Sequence, residues 1–107
     1  MTRNIIAILR GVKPSEVLEI ARTIAENGIT QIEVPMNSPD VFDSIQLLHD
    51  EMKDFISVGA GTVTNTSQVK ILEEIGIDFI VSPHFDSKVV EATKQANMLS
   101  FPGVLTP

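Results

Sequence analysis

Arg10, Glu33, Thr62 and Ser82-Pro83 each stand at or just past the end of a short apolar run. Together they offer a cation, a carboxylate and hydroxyls. Glu33 is the sharpest signal, set inside Ile29-Thr30-Gln31-Ile32-Glu33-Val34-Pro35. An unpaired carboxylate in apolar surroundings is costly, or it keeps its proton to higher pH. Two readings follow: a general acid or base with a raised pKa, or the buried half of an ion pair. Arg10 carries a planar fork suited to a carboxylate or phosphate, and its alternative is a salt bridge to Glu33. Thr62 follows Gly59-Ala60-Gly61 and either presents a hydroxyl and N–H groups to an anion or closes a plain turn. No third glycine follows at the spacing of a dinucleotide fingerprint. Proton transfer beside an anion site is the chemistry that these residue types could perform together.

The remaining polar residues add little chemistry. Lys13, Lys53, Lys70, Lys88 and Lys94 fall in expected loops or helices, and none ends an apolar run. They read as solvated charges, whereas a nucleophilic lysine must be desolvated or set beside another cation. His49 reads as solvated near a helix end, and His84-Phe85 lies in a loop, either as a surface cap or facing a ligand. No His and carboxylate spacing matches a metal site, so neither a metal nor a cofactor is expected.

Composition narrows the class. The chain has 107 residues, 43% hydrophobic and 21% charged, as one globular domain would. A net charge of −6 with 5% aromatics, all Phe, gives no electrostatic or stacking case for nucleic acid or an anionic membrane. The partner expected is a small molecule. With no cysteine there is neither a disulfide framework nor a thiolate metal site. Met1-Thr2-Arg3-Asn4 runs directly into a short apolar run with no signal-peptide pattern, and no run reaches membrane length, so a cytoplasmic protein is expected.

The elements that must position these residues alternate. Strands are expected at Ile5–Leu9, Gln31–Val34, Phe55–Val58, Ile77–Val81 and Met98–Phe101. A first helix from Pro14 to Asn27, with Ser15 at its start, turns Val17, Leu18, Ala21, Ile24 and Ala25 to one face. A second begins near Ser38-Pro39-Asp40 and buries Val41, Ile45, Leu48 and Met52. A third, capped by Asn65 or Thr66, buries Val69, Leu72 and Ile75 and stops at Gly76. A fourth opens at Asp86 or Ser87 and carries Val89, Val90, Ala92 and Ala96.

Continuously apolar strands alternating with amphipathic helices imply a parallel sheet covered by helices. Two architectures fit: a complete five-stranded doubly wound sheet, or the first half of an eight-stranded (β/α) barrel. In either, ligands gather at the C-terminal strand ends, where the chemistry-bearing residues stand. Gly28-Ile29-x-x-Ile32-x-x-Pro35 recurs as Gly76-Ile77-x-x-Ile80-x-x-Pro83, two βα units later, which favours the barrel.

The order of the rim motifs carries a resemblance. Ile6-Ala7-Ile8-Leu9-Arg10-Gly11, Ile32-Glu33-Val34-Pro35-Met36-Asn37-Ser38-Pro39, Gly59-Ala60-Gly61-Thr62-Val63, Ser82-Pro83 and Pro102-Gly103 resemble the N-terminal half of the KDPG/KHG aldolase family. Asn37-Ser38-Pro39 is similar to the 2-dehydro-3-deoxy-6-phosphogalactonate branch. The resemblance implies residues 1–107 as a partial TIM (β/α)8 barrel domain of about four and a half βα units. It implies a class I, Schiff-base aldolase that releases pyruvate and glyceraldehyde 3-phosphate without a metal. Glu33 would then be the general acid/base, Arg10 and Thr62 would hold the pyruvate-half carboxylate, and Pro83 would shape the pocket.

The same resemblance implies that the family's Schiff-base lysine and phosphate site lie on later strands than this chain contains. The expectation is therefore a truncated aldolase, inactive alone, from a family of homotrimeric barrels. The competing expectations are a flavodoxin-like non-enzymatic binding module, another TIM-barrel phosphosugar enzyme, and a half barrel that dimerises into a closed one.

Overall fold

A computed structural model describes residues 5–82 and 87–102, without the side chains of the last two. Five strands alternate with four helices: β1 Ile6–Ile8, α1 Pro14–Glu26, β2 Gln31–Pro35, α2 Val41–Met52, β3 Ser57–Gly61, α3 Thr66–Ile75, β4 Phe79–Ser82, α4 Ser87–Gln95 and β5 Leu99–Pro102. All neighbouring strands are parallel, in the order β1-β2-β3-β4-β5.

That order decides between the two architectures. A doubly wound sheet reverses its strand order near the middle and places helices on both faces. Here the order never reverses, and consecutive helices pack on one another, α1 on α2, α2 on α3 and α3 on α4. Crossovers of one hand then put every helix on the same face. Ile32, Val34, Val58, Ala60 and Ile80 bury that face against Val17, Ala21, Ile45, Leu48, Val69 and Leu72. This is the arrangement of the N-terminal half of a (β/α)8 barrel. The other face, which would line a barrel interior, carries Ile8, Glu33, Gly59, Phe79 and Leu99 in one row across the sheet.

The helix faces form as the spacing predicts. Val41, Ile45, Leu48 and Met52 are all buried, as are Val69 and Leu72. Asn65 caps α3 by accepting the Gln68 N–H at 2.9 Å. At the start of α1 the cap is Lys13 rather than Ser15, with the Lys13 N–H donating to Glu16 Oε1 at 2.9 Å. Gly28 and Gly76 leave their helices at φ of 91° and 92°, so the sequence echo marks the same left-handed exit twice. The echoed Ile32 and Ile80 are both fully buried on the helix side.

Two strands start two residues further along the chain than expected, and β5 starts one residue further. β3 begins at Ser57, because the Phe55 and Ile56 N–H groups both donate to Met52 O in the turn that closes α2. Similarly, the Gly76 and Ile77 N–H groups close α3 on Leu72 O, which moves the start of β4 to Phe79. The shift puts Gly59, Ala60 and Gly61 inside β3 rather than in a loop after it. His49 also departs from expectation. It is half-buried, its ring is 3.4 Å from where a Cβ on Gly76 would sit, and its Nδ1 has no partner among the described residues.

Candidate active site

Parallel pairing lines up the strand ends, and so β1, β2 and β3 deliver their terminal residues to one rim. The Leu9 N–H donates to Glu33 O at 3.0 Å, and the Met36 N–H to Gly61 O at 2.8 Å, extending the ladders to that edge. Arg10, Glu33 and Thr62 are thereby brought together. Pro83, His84 and Gly103 lie outside the described residues, and Pro102 ends β5.

Glu33 is only 3% exposed, and its Oε2 is buried with no hydrogen-bond partner among the described residues. Burial raises its pKa above the ordinary 4.5, and the nearby Arg10 charge offsets part of that shift. A carboxyl in this state holds its proton more readily than a solvated one, as a group that both gives and takes a proton must. Of the two readings of Arg10, the ion pair with Glu33 does not form. The Arg10 Nη1 donates instead to Asn37 Oδ1 at 3.2 Å, leaving the exposed guanidinium other donors for a ligand.

Thr62 follows β3 in the left-handed region, with φ of 56°, which is unusual for a β-branched residue. Its half-buried side chain has no hydrogen-bond partner among the described residues. Backbone strain of this kind collects at ligand-binding positions. Ser38 adds a second link between loops. Its buried Oγ accepts the Gly11 N–H at 3.1 Å, joining the turn after β1 to the turn after β2.

Sequence reasoning assigned no role to Asn37, Ser38, Gly59 or Gly61. A Cβ on Gly59 would overlap the Phe79 ring, and one on Gly61 would overlap Glu33 Oε2. The available signal was the Gly-x-Gly spacing itself, since alternate strand residues share a face. The expected reading of the lysines holds, for all five are exposed and none lies on a strand. Among the described residues no group of His, Asp or Glu could hold a metal ion, and no helix is long and apolar enough to cross a membrane. The grooves between α3 and α4 and between α1 and the end of α2 lie in the helix layer, away from Glu33.

A one-sided parallel sheet with a buried carboxyl, a cation and a strained threonine at its C-terminal rim is half of a (β/α) barrel with a candidate site at that rim. The sequence model of the family described as KDPG and KHG aldolase matches residues 1–107. The chain belongs to the KDPG/KHG aldolase family, whose members are class I aldolases.

A probable 2-dehydro-3-deoxy-6-phosphogalactonate aldolase of Rhizobium meliloti is 41% identical over 107 residues, covering 100% of this chain and 50% of that protein. The 2-dehydro-3-deoxy-6-phosphogalactonate aldolase of Escherichia coli is 36% identical over 102 residues, 95% of this chain and 50% of that protein. Among solved structures, a native KDPGal structure superposes with a TM-score of 0.93 at 34% identity, over 99% of this chain and 53% of that one. The chain thus spans about half the length of the curated relatives it matches. Membership of this family and the strand order set aside the flavodoxin-like and other-barrel readings.

Proposed function

We propose that this chain carries the proton-transfer and carboxylate-binding half of a class I aldolase. Its substrate would be a 2-keto-3-deoxy-6-phospho sugar acid, the galactonate-derived one in the first instance. The products would be pyruvate and glyceraldehyde 3-phosphate. The carrying observation is the buried Glu33 carboxyl at the rim, beside the Gly61-Thr62 corner, whose Oε2 has no hydrogen-bond partner among the described residues. The names of the two relatives with 41% and 36% identity favour the galactonate substrate.

In this reading Glu33 moves protons through carbinolamine, Schiff-base and cleavage steps. Carbinolamine dehydration needs an acid at the departing hydroxyl. Retro-aldol cleavage needs a base at the substrate hydroxyl whose carbon becomes the aldehyde, and the enamine left behind then takes a proton at carbon. One carboxyl with a raised pKa can serve all three. Arg10 and Thr62 hold the carboxylate of the pyruvate half, and Pro83 shapes the pocket as the family resemblance implies. A solved relative, the KDPG aldolase of Legionella pneumophila, has pyruvate captured as a covalent carbinolamine, an intermediate that requires an amine, for which a desolvated lysine is the suitable side chain.

The exposed lysines of this chain do not offer that nucleophile, so the 107-residue chain alone is expected to lack turnover. Activity, trimeric assembly and a cytoplasmic setting are proposed for a protein that also carries the other half of its relatives' length. Incubation with pyruvate and borohydride, read by intact mass, tests this: no stable gain is expected, and a gain on one lysine overturns it. In a version completed with the C-terminal half of the Rhizobium meliloti relative, Glu33→Gln is expected to slow cleavage by about 10²–10⁴-fold.

A further inference from the structure

We propose that Gly61 is the positioning residue for Glu33, its missing Cβ being the seat in which the carboxyl lies. The role deepens the reading of Glu33 as the acid/base and rests on it only for catalytic meaning. In the β2–β3 register Glu33 faces Gly59 and Pro35 faces Gly61, so Glu33 and Gly61 are diagonal neighbours on the same face. The carboxyl leans across that diagonal. The three atoms nearest to a Cβ built on Gly61 all belong to Glu33. They are Oε2, which it would overlap, Cδ at 2.5 Å and Oε1 at 2.7 Å.

The carboxyl has no second seat on β3, because the corresponding space above Gly59 is filled by the Phe79 ring. Two glycines at alternate positions therefore leave the inner face of β3 bare, and its neighbours fill it from either side. Glu33 enters from β2 and Phe79 from β4. A methyl group at residue 61 would push the carboxyl off β3 toward the open face above β2 and β1, where Ile8 is 56% exposed.

Gly61 is not among the residues with positive φ, so alanine suits its backbone and the substitution is a purely steric probe. Elsewhere such a change stabilises slightly through the unfolded chain.

The test is a double-mutant cycle on this chain, with urea midpoints for Gly61→Ala, Glu33→Ala and the pair. It is joined by a pH titration of the Glu33 Cδ resonance in glutamate-labelled protein. Gly61→Ala is expected to change the midpoint by a different amount when Glu33 is present than beside Glu33→Ala, because only in the first case must a carboxyl leave its seat. It is also expected to move the Glu33 titration down toward that of a solvated carboxyl. If Gly61→Ala does not fold, folding of the double variant supports the proposal and its failure overturns it. An equal midpoint loss in both backgrounds with an unmoved titration also overturns it. The acid/base reading fails separately, if Glu33→Gln keeps full activity in the completed enzyme while the coupling to Gly61 persists.

Discussion

Arg10 Nη1 donates to Asn37 Oδ1 across 3.2 Å, tying the residue after β1 to the loop after β2. The bond is exposed and joins positions 27 residues apart, so only the parallel pairing of β1 with β2 makes it possible. It holds a flexible cation at one place on the rim without consuming its charge. In the completed enzyme Asn37→Ala is expected to raise KM about fivefold, equivalent to about 1 kcal/mol, with little change in kcat. Steady-state kinetics check this, and a fall in kcat with unchanged KM would contradict it.

Thr62 holds a left-handed backbone that a β-branched residue adopts at a cost of about 1 kcal/mol. Thr62→Gly is therefore expected to stabilise the chain by about that amount in urea unfolding while removing a hydroxyl from the proposed anion site. Greater stability with weaker pyruvate binding is the expected pair of results. A destabilised Thr62→Gly variant would mean that the hydroxyl has a structural role.

The Glu33 carboxyl is raised above 4.5 in the folded chain by burial. Between that value and the folded pKa the native state binds more protons than the unfolded one. The contribution of Glu33 to stability is consequently greatest on the acid side and falls as pH rises through the window above 4.5. Glu33→Gln removes the ionisation and should raise the urea midpoint at about pH 7, with the advantage shrinking near pH 4. Midpoints measured across that range decide the matter.

Ile8 is 56% exposed and Leu99 64% exposed, at the two outer strands of the uncovered face. Edge strands and bare apolar faces favour association. In sedimentation velocity the chain is expected to show mass above its 11.7 kDa monomer as concentration rises. Leu99→Lys should shift the distribution back toward monomer, whereas an unchanged distribution would place the contact elsewhere.

Much of this was legible in the sequence. The amphipathic stripes of α1 to α4 and the rim order of Arg10, Glu33 and Thr62 followed from period and punctuation. The strand starts did not. Phe55, Ile56 and Ile77 are apolar, yet they belong to helix-closing turns, and a short apolar run does not distinguish a turn from a strand. Asn37-Ser38 was visible as a motif, but its partners Arg10 and Gly11 are distant in sequence.

Periodicity and composition are local properties, and they suffice for an alternating β/α chain with a carboxyl, a cation and a threonine at strand ends. That the sheet is one-sided, and that Glu33 lies in the space left by Gly61, came from the folded arrangement. It also gave Arg10 to Asn37 rather than to Glu33. Strand order, register and side-chain lean are set by packing between distant segments, and no local pattern encodes them.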